Sequence, residues 1–312
     1  MFQSRKQSRL LTFLSICLLT LTLAACGGSA IGSTGTSKTS GVIQVVAAEN
    51  FWGSIASQVG GSHVHVTSII VDPNADPHAY EPTTADARLV SNAQYVIING
   101  AGYDPWADKL LSANPVSGRK ELNIGNFNGK HAGDNPHMWY NPDYVTAVVN
   151  KMRDDFKALD PADAAAFDQS AQAFETTGLK QYHDTIASIK AKYSGVPVGA
   201  TESIFSYLSS ALGLNLITPY SYLKAVSESA DISASDEATV EQQINQKQIK
   251  VLIYNSQNTP SNVQTLIKLA KAKNIPIATI TETLSPATDS FQAWQTQQLQ
   301  GIESALAQAT GK

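Results

Sequence analysis

The sequence predicts an α/β protein of two doubly wound parallel-sheet lobes joined by one long rigid α-helix. Three observations carry that expectation. Short β-branched runs alternate with amphipathic stretches from Val42 to about residue 137, the pattern of βα units in a parallel sheet. The same alternation resumes at Val196 and runs on toward the C-terminus. Between the two halves, residues 141–193 carry no strand signal at all.

In the first half, "VIQVVAA" (42–48) reads as a buried strand and "NFWGSIASQVG" as a helix with Asn50 as its N-cap. "HVHVTSII" (63–70) is a second strand. Thr83 or Thr84 caps a short helix containing Asp86, and "QYVIIN" (94–99) is a third strand. "DPWADKLLS" is helical, and residues 121–137 give a short strand followed by a Gly/Asn-rich loop.

In the middle, Pro142 and Pro161 sit at helix starts, where a missing N–H costs nothing. From Pro161 to Tyr193 the chain is rich in Ala, Gln and Lys, with Phe167, Phe174, Leu179, Tyr182, Ile186 and Ile189 at three- and four-residue spacings. One helix of about 30 residues spans roughly 45 Å, the dimension of a strut between lobes, and Gly178 is its weak point.

In the second half, "VPVGA" (196–200), "LNLIT" (214–218), "IKVLIYN" (249–255) and "IPIATI" (275–280) are strands. The helices between them are "SIFSYLSSALG", stopped by Gly213, then 235–246 capped by Ser235, then "PSNVQTLIKLAKAKN". A last helix covers about 289–308. No repeat relates the two halves.

The N-terminal residues are expected to be processed rather than folded. Arg5, Lys6 and Arg9 precede an apolar segment, Leu10 to Leu23, too short for a comfortable membrane span. It ends in Leu23-Ala24-Ala25-Cys26, the cleavage pattern of a bacterial lipoprotein signal, which makes Cys26 the lipidated first residue of the mature chain. Cys17 leaves with the signal, so the mature chain keeps no free thiol or disulfide, as suits an extracytoplasmic protein stable without cross-links. Residues 27–41 are a Gly/Ser/Thr tether with an end-to-end distance of roughly 20 Å. The expected organisation is a signal over 1–25, lipidated cysteine and tether over 26–41, an N-terminal lobe over 42–160, a linking helix over 161–194 and a C-terminal lobe over 195–312. Loss of the three basic signal residues shifts the whole-chain charge of −4 to −7. A mildly acidic chain without basic clusters argues against nucleic acid and suits a cationic ligand.

In open α/β sheets, ligands bind beyond the carboxyl ends of strands. Four metal-capable residues fall there. His78 lies in "DPHAYEPT" after strand 63–70, and His137 lies in "DNPHMWYNP" after the short strand and loop. Glu202, in "GATESIF", and Glu282, in "ITETLSP", each lie two residues past a strand of the second half. Taken singly each has an ordinary reading: a loop histidine in solvent, a carboxylate at a helix start, a loop acid. Together they place two imidazoles and two carboxylates on facing halves, and flanking prolines restrict the backbone of both histidine loops. Two nitrogens and two carboxylates suit Zn²⁺ or Mn²⁺. Because bound imidazole must be neutral, protons are expected to compete below about pH 6.5. Of the other histidines, His63 and His65 read as exposed strand residues, His131 as a loop residue and His183 as solvated on the long helix. Trp139 and Phe205, each near a candidate, are expected to wall the site.

From Val42 to the C-terminus the chain resembles the metal-binding solute receptors of bacterial ABC transporters for zinc and manganese, the cluster A-I substrate-binding lipoproteins. "DPHAYEPT" fits the family's DPHxYEPT loop, and "NPHMWYNP" fits DPHxWxDP with asparagine at 135 and 141 in place of aspartate. "TESIF" fits the H/E-x-x-F segment, with Glu202 where zinc importers usually carry histidine and manganese importers glutamate. "TET" places Glu282 where an acid closes the site. The long histidine-rich loop of many zinc importers is absent, and only His131 stands near that place. The resemblance implies His78, His137, Glu202 and Glu282 as ligands of Zn²⁺ or Mn²⁺ carried as substrate. It also implies an ABC permease as partner, a monomer lipid-anchored on the extracytoplasmic face of the cell membrane, and no enzymatic activity. Three rivals are a receptor for an organic metal chelate, a zinc-dependent hydrolase and a surface adhesin. The chelate receptor would want an Arg-lined cleft, yet Arg153 is the one arginine after residue 120. A catalytic zinc keeps a coordination position open, which a fourth protein ligand would close, and the chain has neither an HExxH helix nor a nucleophile elbow.

Overall fold

The structure, a computed structural model, describes residues 41–312. The expected signal, the Cys26 lipidation site and nearly all of the tether lie outside the described residues.

Two four-stranded sheets, each wholly parallel, form the framework. The first comprises β1 (Ile43–Glu49), β2 (Val64–Ile70), β3 (Tyr95–Ile98) and β4 (Lys120–Asn123), in the order β2-β1-β3-β4. Its helices are α1 (Asn50–Gly60), α2 (Thr84–Asn92), α3 (Pro105–Ala113), α4 (Ile124–Phe127) and α5 (Pro142–Leu159). β1 is buried at six of its seven positions and β3 at all four, because central strands of a sheet covered on both faces alternate with nothing polar. β1 pairs with β2 from Ile43 opposite Val64 to Glu49 opposite Ile70.

Two capping expectations differ in outcome. Thr83 caps α2 in a full capping box, its side chain taking the Asp86 N–H while the Asp86 carboxylate takes the Thr83 N–H. Asn50 does not cap α1. It is the first helical residue, and its Oδ1 instead accepts the backbone N–H of Leu284, 3.2 Å away in the second half. His63 also departs from expectation: it lies in a 3₁₀ turn before β2, and its Nδ1 is 2.7 Å from the Asp163 carboxylate.

The middle segment is helical from Pro161 to Tyr193 apart from Leu179. A 3₁₀ turn (161–163) leads into α6 (Ala164–Ala173), a π-helical turn follows over Phe174–Gly178, and α7 (Lys180–Tyr193) completes it. The Leu179 N–H reaches back five residues to the Phe174 carbonyl at 2.8 Å. The wide turn falls at Gly178, where helix propensity is lowest.

The second sheet comprises β5 (Pro197–Ala200), β6 (Asn215–Leu216), β7 (Val251–Asn255) and β8 (Ile277–Ile280), in the order β6-β5-β7-β8. It repeats the topology of the first without sequence similarity. Its helices are α8 (Phe205–Ala211), α9 (Tyr220–Ser227), α10 (Ala234–Asn245), α11 (Ser261–Ala272) and α12 (Phe291–Thr310). Ser233, not Ser235, caps α10, accepting the Asp236 N–H at 3.1 Å, so the helix starts a residue before the expected one.

The final helix does more than close the second half. α12 packs along α7 and β8 and also against α1. The Gln58 and Gln292 amides exchange hydrogen bonds of 3.0 and 2.6 Å, and Ser54 Oγ accepts the Phe291 N–H at 2.9 Å. Phe51 stacks on Trp139 at 4.2 Å between ring centroids and faces Trp294 of α12 at 6.4 Å. One apolar core therefore runs through both halves.

Candidate functional site

Each sheet changes winding direction once, between β1 and β3 and between β5 and β7. The carboxyl ends of strands at such switch points open a crevice. Here the two crevices face one another across a cleft of about 590 Å³, lined from the first half by Asp76, His78, Gly102 and His137 and from the second by Ser203, Lys224 and Glu282.

His137 is completely buried. Its Nδ1–H donates to Asn135 Oδ1 at 2.7 Å, and its backbone N–H donates to the same oxygen at 3.1 Å. The Asn135 amide nitrogen donates to the Ser203 carbonyl at 2.8 Å, which fixes the amide's orientation. The imidazole is thereby set with Nδ1 protonated, and Nε2, buried, has no partner. Asparagine does here what an acid would do for a histidine's second nitrogen.

His78 is half-buried behind an Asx turn in which Asp76 Oδ1 accepts its N–H at 2.9 Å. The Gly102 backbone stands beside the ring, and Nε2 again is buried without a partner. Burial pushes the His78 imidazole below the usual histidine range, and burial with the neighbouring His78 pushes His137 well below it.

Glu202 sits just behind the cleft wall and is 1% exposed. Glu282 lies on the wall and is half-buried. Asn255, the last residue of β7, is completely buried, and its amide nitrogen donates to Glu202 Oε2 at 3.1 Å and to Glu282 Oε1 at 3.0 Å. Tyr103 O–H donates to the other Glu282 oxygen at 3.2 Å. Glu202 Oε1 is buried without a donor. Burial and then the Glu282 charge raise the Glu202 carboxyl well above its ordinary value, and burial raises Glu282 to about 7. Protons at neutral pH therefore sit on the carboxyls and not on the histidines. Burial disfavours every charged form, so it favours neutral imidazoles and protonated carboxyls alike.

All four candidate residues are thus brought to one place, linked by Asn255 and by Tyr103. The Tyr103 ring meets His78 edge-on at 4.8 Å and His137 at 6.0 Å. They are gathered rather than closed: among the described residues no three His, Cys, Asp or Glu side chains form a finished metal-holding set. Trp139 packs edge-on against His137 at 5.2 Å, so it does wall the site. His131 is exposed on its loop, and His183 lies against Tyr182 on α7. Sequence reasoning missed Asn255 and Tyr103. Each ends or follows a strand, as the four candidates do, but neither is a metal-capable type.

Fold and cleft define a two-lobed α/β binding protein with a ligand site at paired switch points. The chain belongs to the zinc-uptake complex component A (ZnuA) periplasmic family, whose model matches residues 45–305. It is 25% identical over 214 residues to the manganese-binding lipoprotein MntA of Halalkalibacterium halodurans, covering 65% of this chain and 67% of that protein. Against the manganese ABC transporter substrate-binding lipoprotein PsaA of Streptococcus pneumoniae it is 23% identical over 291 residues, with 85% and 87% covered. The fold matches the periplasmic zinc-binding protein TroA of Treponema pallidum with a TM-score of 0.69 at 19% identity, over 84% of this chain and 98% of that one. A Mn-bound periplasmic metal-binding protein from Candidatus Liberibacter asiaticus gives a TM-score of 0.70, also at 19% identity and with the same shares covered.

Proposed function

We propose that the protein is the extracytoplasmic receptor of an ABC importer, which captures Zn²⁺ or Mn²⁺ between its lobes and delivers it to the permease. One observation carries the reading. Three buried donor atoms without partners, His78 Nε2, His137 Nε2 and Glu202 Oε1, gather at one cleft: the two histidines line it with Glu282, and Glu202, just behind the wall, is tied to Glu282 through Asn255. Leaving buried polar atoms unpaired costs stability, and a divalent cation would satisfy all three. Two carboxylates and two neutral imidazoles also cancel its double charge, which avoids an uncompensated buried charge.

His78, His137, Glu202 and Glu282 are the proposed ligands. Four protein ligands close the coordination sphere, which fits a cargo site better than a hydrolytic one. Family membership supports the transport role, and the names of the relatives support the choice of metals. Lipid attachment at Cys26 would hold a monomeric receptor at the outer face of the cell membrane; among the described residues no helix is long and apolar enough to cross a membrane.

Titration of the purified mature protein with Zn²⁺ and with Mn²⁺ tests the proposal. One site per chain is expected, with binding of both ions sharply weakened in His78→Ala and in His137→Ala. Undiminished binding in both variants would overturn the ligand set.

A further inference from the structure

Behind the cleft lies a second group of buried carboxyls that the ligand set does not use. Glu49 ends β1 and Asp104 precedes α3, so both stand at the switch point of the first sheet, and both are 0% exposed. Neither Glu49 oxygen has a donor if the group is ionised, and the Asp104 carboxyl lies beside it. Two completely buried carboxyls side by side disfavour a double negative charge, so one proton is held between them. The remaining charged group acting on Asp104 is another acid, Asp108.

Asp104 already has two other partners. Its Oδ2 accepts the Asn99 N–H and its Oδ1 the Gly100 N–H, both at 2.7 Å. Burial lifts Asp104 to about 6 against the lowering effect of those N–H groups, whereas Glu49 is raised well above its ordinary value by burial, with Asp104 as a further cause. The proton belongs on Glu49, which donates to the Asp104 carboxylate.

The turn that Asp104 holds has an unusual backbone. Gly100, Ala101 and Gly102 are all left-handed, with φ of 70°, 55° and 83°. A β-carbon at Gly100 would stand 2.1 Å from Asn123 Oδ1, so no larger residue fits. Ala101 adopts this conformation at a cost that the surrounding contacts must offset.

From this turn, three contacts reach separate candidate ligands. The Gly102 carbonyl stands beside the His78 ring as the acceptor that would take an Nδ1–H, and Nε2 is without a partner. Tyr103 O–H donates to Glu282. The Asn99 amide donates to the Pro136 carbonyl at 3.0 Å, directly before His137, and Asn99 is itself fixed by Trp52 Nε1–H at 3.0 Å.

We infer that the Glu49–Asp104 acid pair is a positioning device for metal capture: it clamps the Asn99–Asp104 turn, and the turn sets the direction of His78, His137 and Glu282. The inference rests on the ligand set proposed above. It assigns neither acid to the metal itself.

The test uses the purified mature protein and two readouts, affinity for Zn²⁺ and Mn²⁺ and the ¹⁵N NMR signature of the His78 ring without metal. Asp104→Asn presents an NH₂ to one of the two backbone N–H groups. It is expected to weaken both metals by about 10-fold, the usual loss when a group supporting a ligand is removed. It should also turn the single Nδ1–H form of His78 into a mixture of tautomers. Glu49→Leu removes the donor and should weaken both metals by about as much, whereas Glu49→Gln, which supplies an N–H to Asp104, should restore tight binding. A lowered melting temperature in Asp104→Asn with affinity and His78 signature unchanged would mean a merely structural pair and would overturn the inference. So would Glu49→Gln behaving like Glu49→Leu, or a wild-type His78 protonated on Nε2. His78→Ala run alongside separates the two readings. Undiminished binding there overturns the ligand set and this inference together, while loss there with Asp104→Asn unaffected overturns this inference alone.

Discussion

Metal capture should expel protons, and the structure says from where. Burial raises the Glu282 carboxyl to about 7, and burial with the Glu282 charge raises Glu202 well above its ordinary value, so the pair holds protons near neutral pH. The two histidines have lowered values and carry none. A metal ion requires both carboxylates ionised, so binding should release protons from the pair at pH 7, in coupled steps. By linkage, affinity then rises with pH near neutrality. The sign for the metal-free protein is the reverse. Carboxyls with raised values contribute stability that is fully present below about 4.5 and is lost as pH rises through the folded-state values, so apo stability from these groups declines toward neutral pH. Isothermal titration calorimetry in buffers of different ionisation enthalpy counts the protons directly. Glu202→Gln should lower the count. Release near zero at pH 7 would show that both carboxylates are already ionised and would refute the burial argument. A count unchanged in Glu202→Gln would refute the placement of the proton on Glu202.

Three further outcomes follow from named contacts. Glu202→His exchanges a hard oxygen for a softer nitrogen and should raise the zinc-to-manganese affinity ratio; a ratio unchanged in paired titrations would remove Glu202 from the ligand set. Asn255→Leu keeps the volume but deletes the N–H groups shared by Glu202 and Glu282. With hydrogen bonds to charged groups contributing about 1.5–3 kcal/mol each, metal affinity should fall by at least about tenfold, and calorimetry showing a smaller loss would assign the carboxylates to other support. Cys26→Ala should leave the precursor unprocessed and without lipid, which intact-mass spectrometry of the membrane fraction would show; an unmodified wild-type chain beginning elsewhere would contradict the signal assignment.

The parallel sheets were readable because buried central strands such as "VIQVVAA" and "IKVLIYN" state their burial in consecutive apolar residues. The four candidate ligands were readable because their types are chemically marked and the switch-point rule places strand ends at a crevice. What supports them was not. Asn255 and Tyr103 act on partners at a sequence distance of 27 to 179 residues, and nothing local to either residue announces that. Asn50 looks like a helix cap because caps are recognised from immediate neighbours, while its actual partner, Leu284, is 234 residues away. Glu49 falls just past the strand read over 42–48, and only its complete burial beside Asp104 sets it apart. The cap of α10 falls two residues from its expected place because Ser233 and Ser235 offer the same hydroxyl at neighbouring positions.

The packing of α12 along α7, with its N-terminal end fastened to α1, has a kinematic consequence. Two bodies joined at a single point can swivel about any axis. Joined along a line, they keep one inexpensive rotation, about that line, as a book keeps one about its spine. α7 and α12 lie side by side along such a line. Polar bridges across the cleft, among them Lys224 to the Gly133 carbonyl at 2.9 Å, Tyr207 to the Asn135 carbonyl at 3.1 Å and Asn135 to the Ser203 carbonyl at 2.8 Å, are ties that a small rotation about the spine would have to break. A receptor built this way would trade amplitude for direction, its lobes confined to one path.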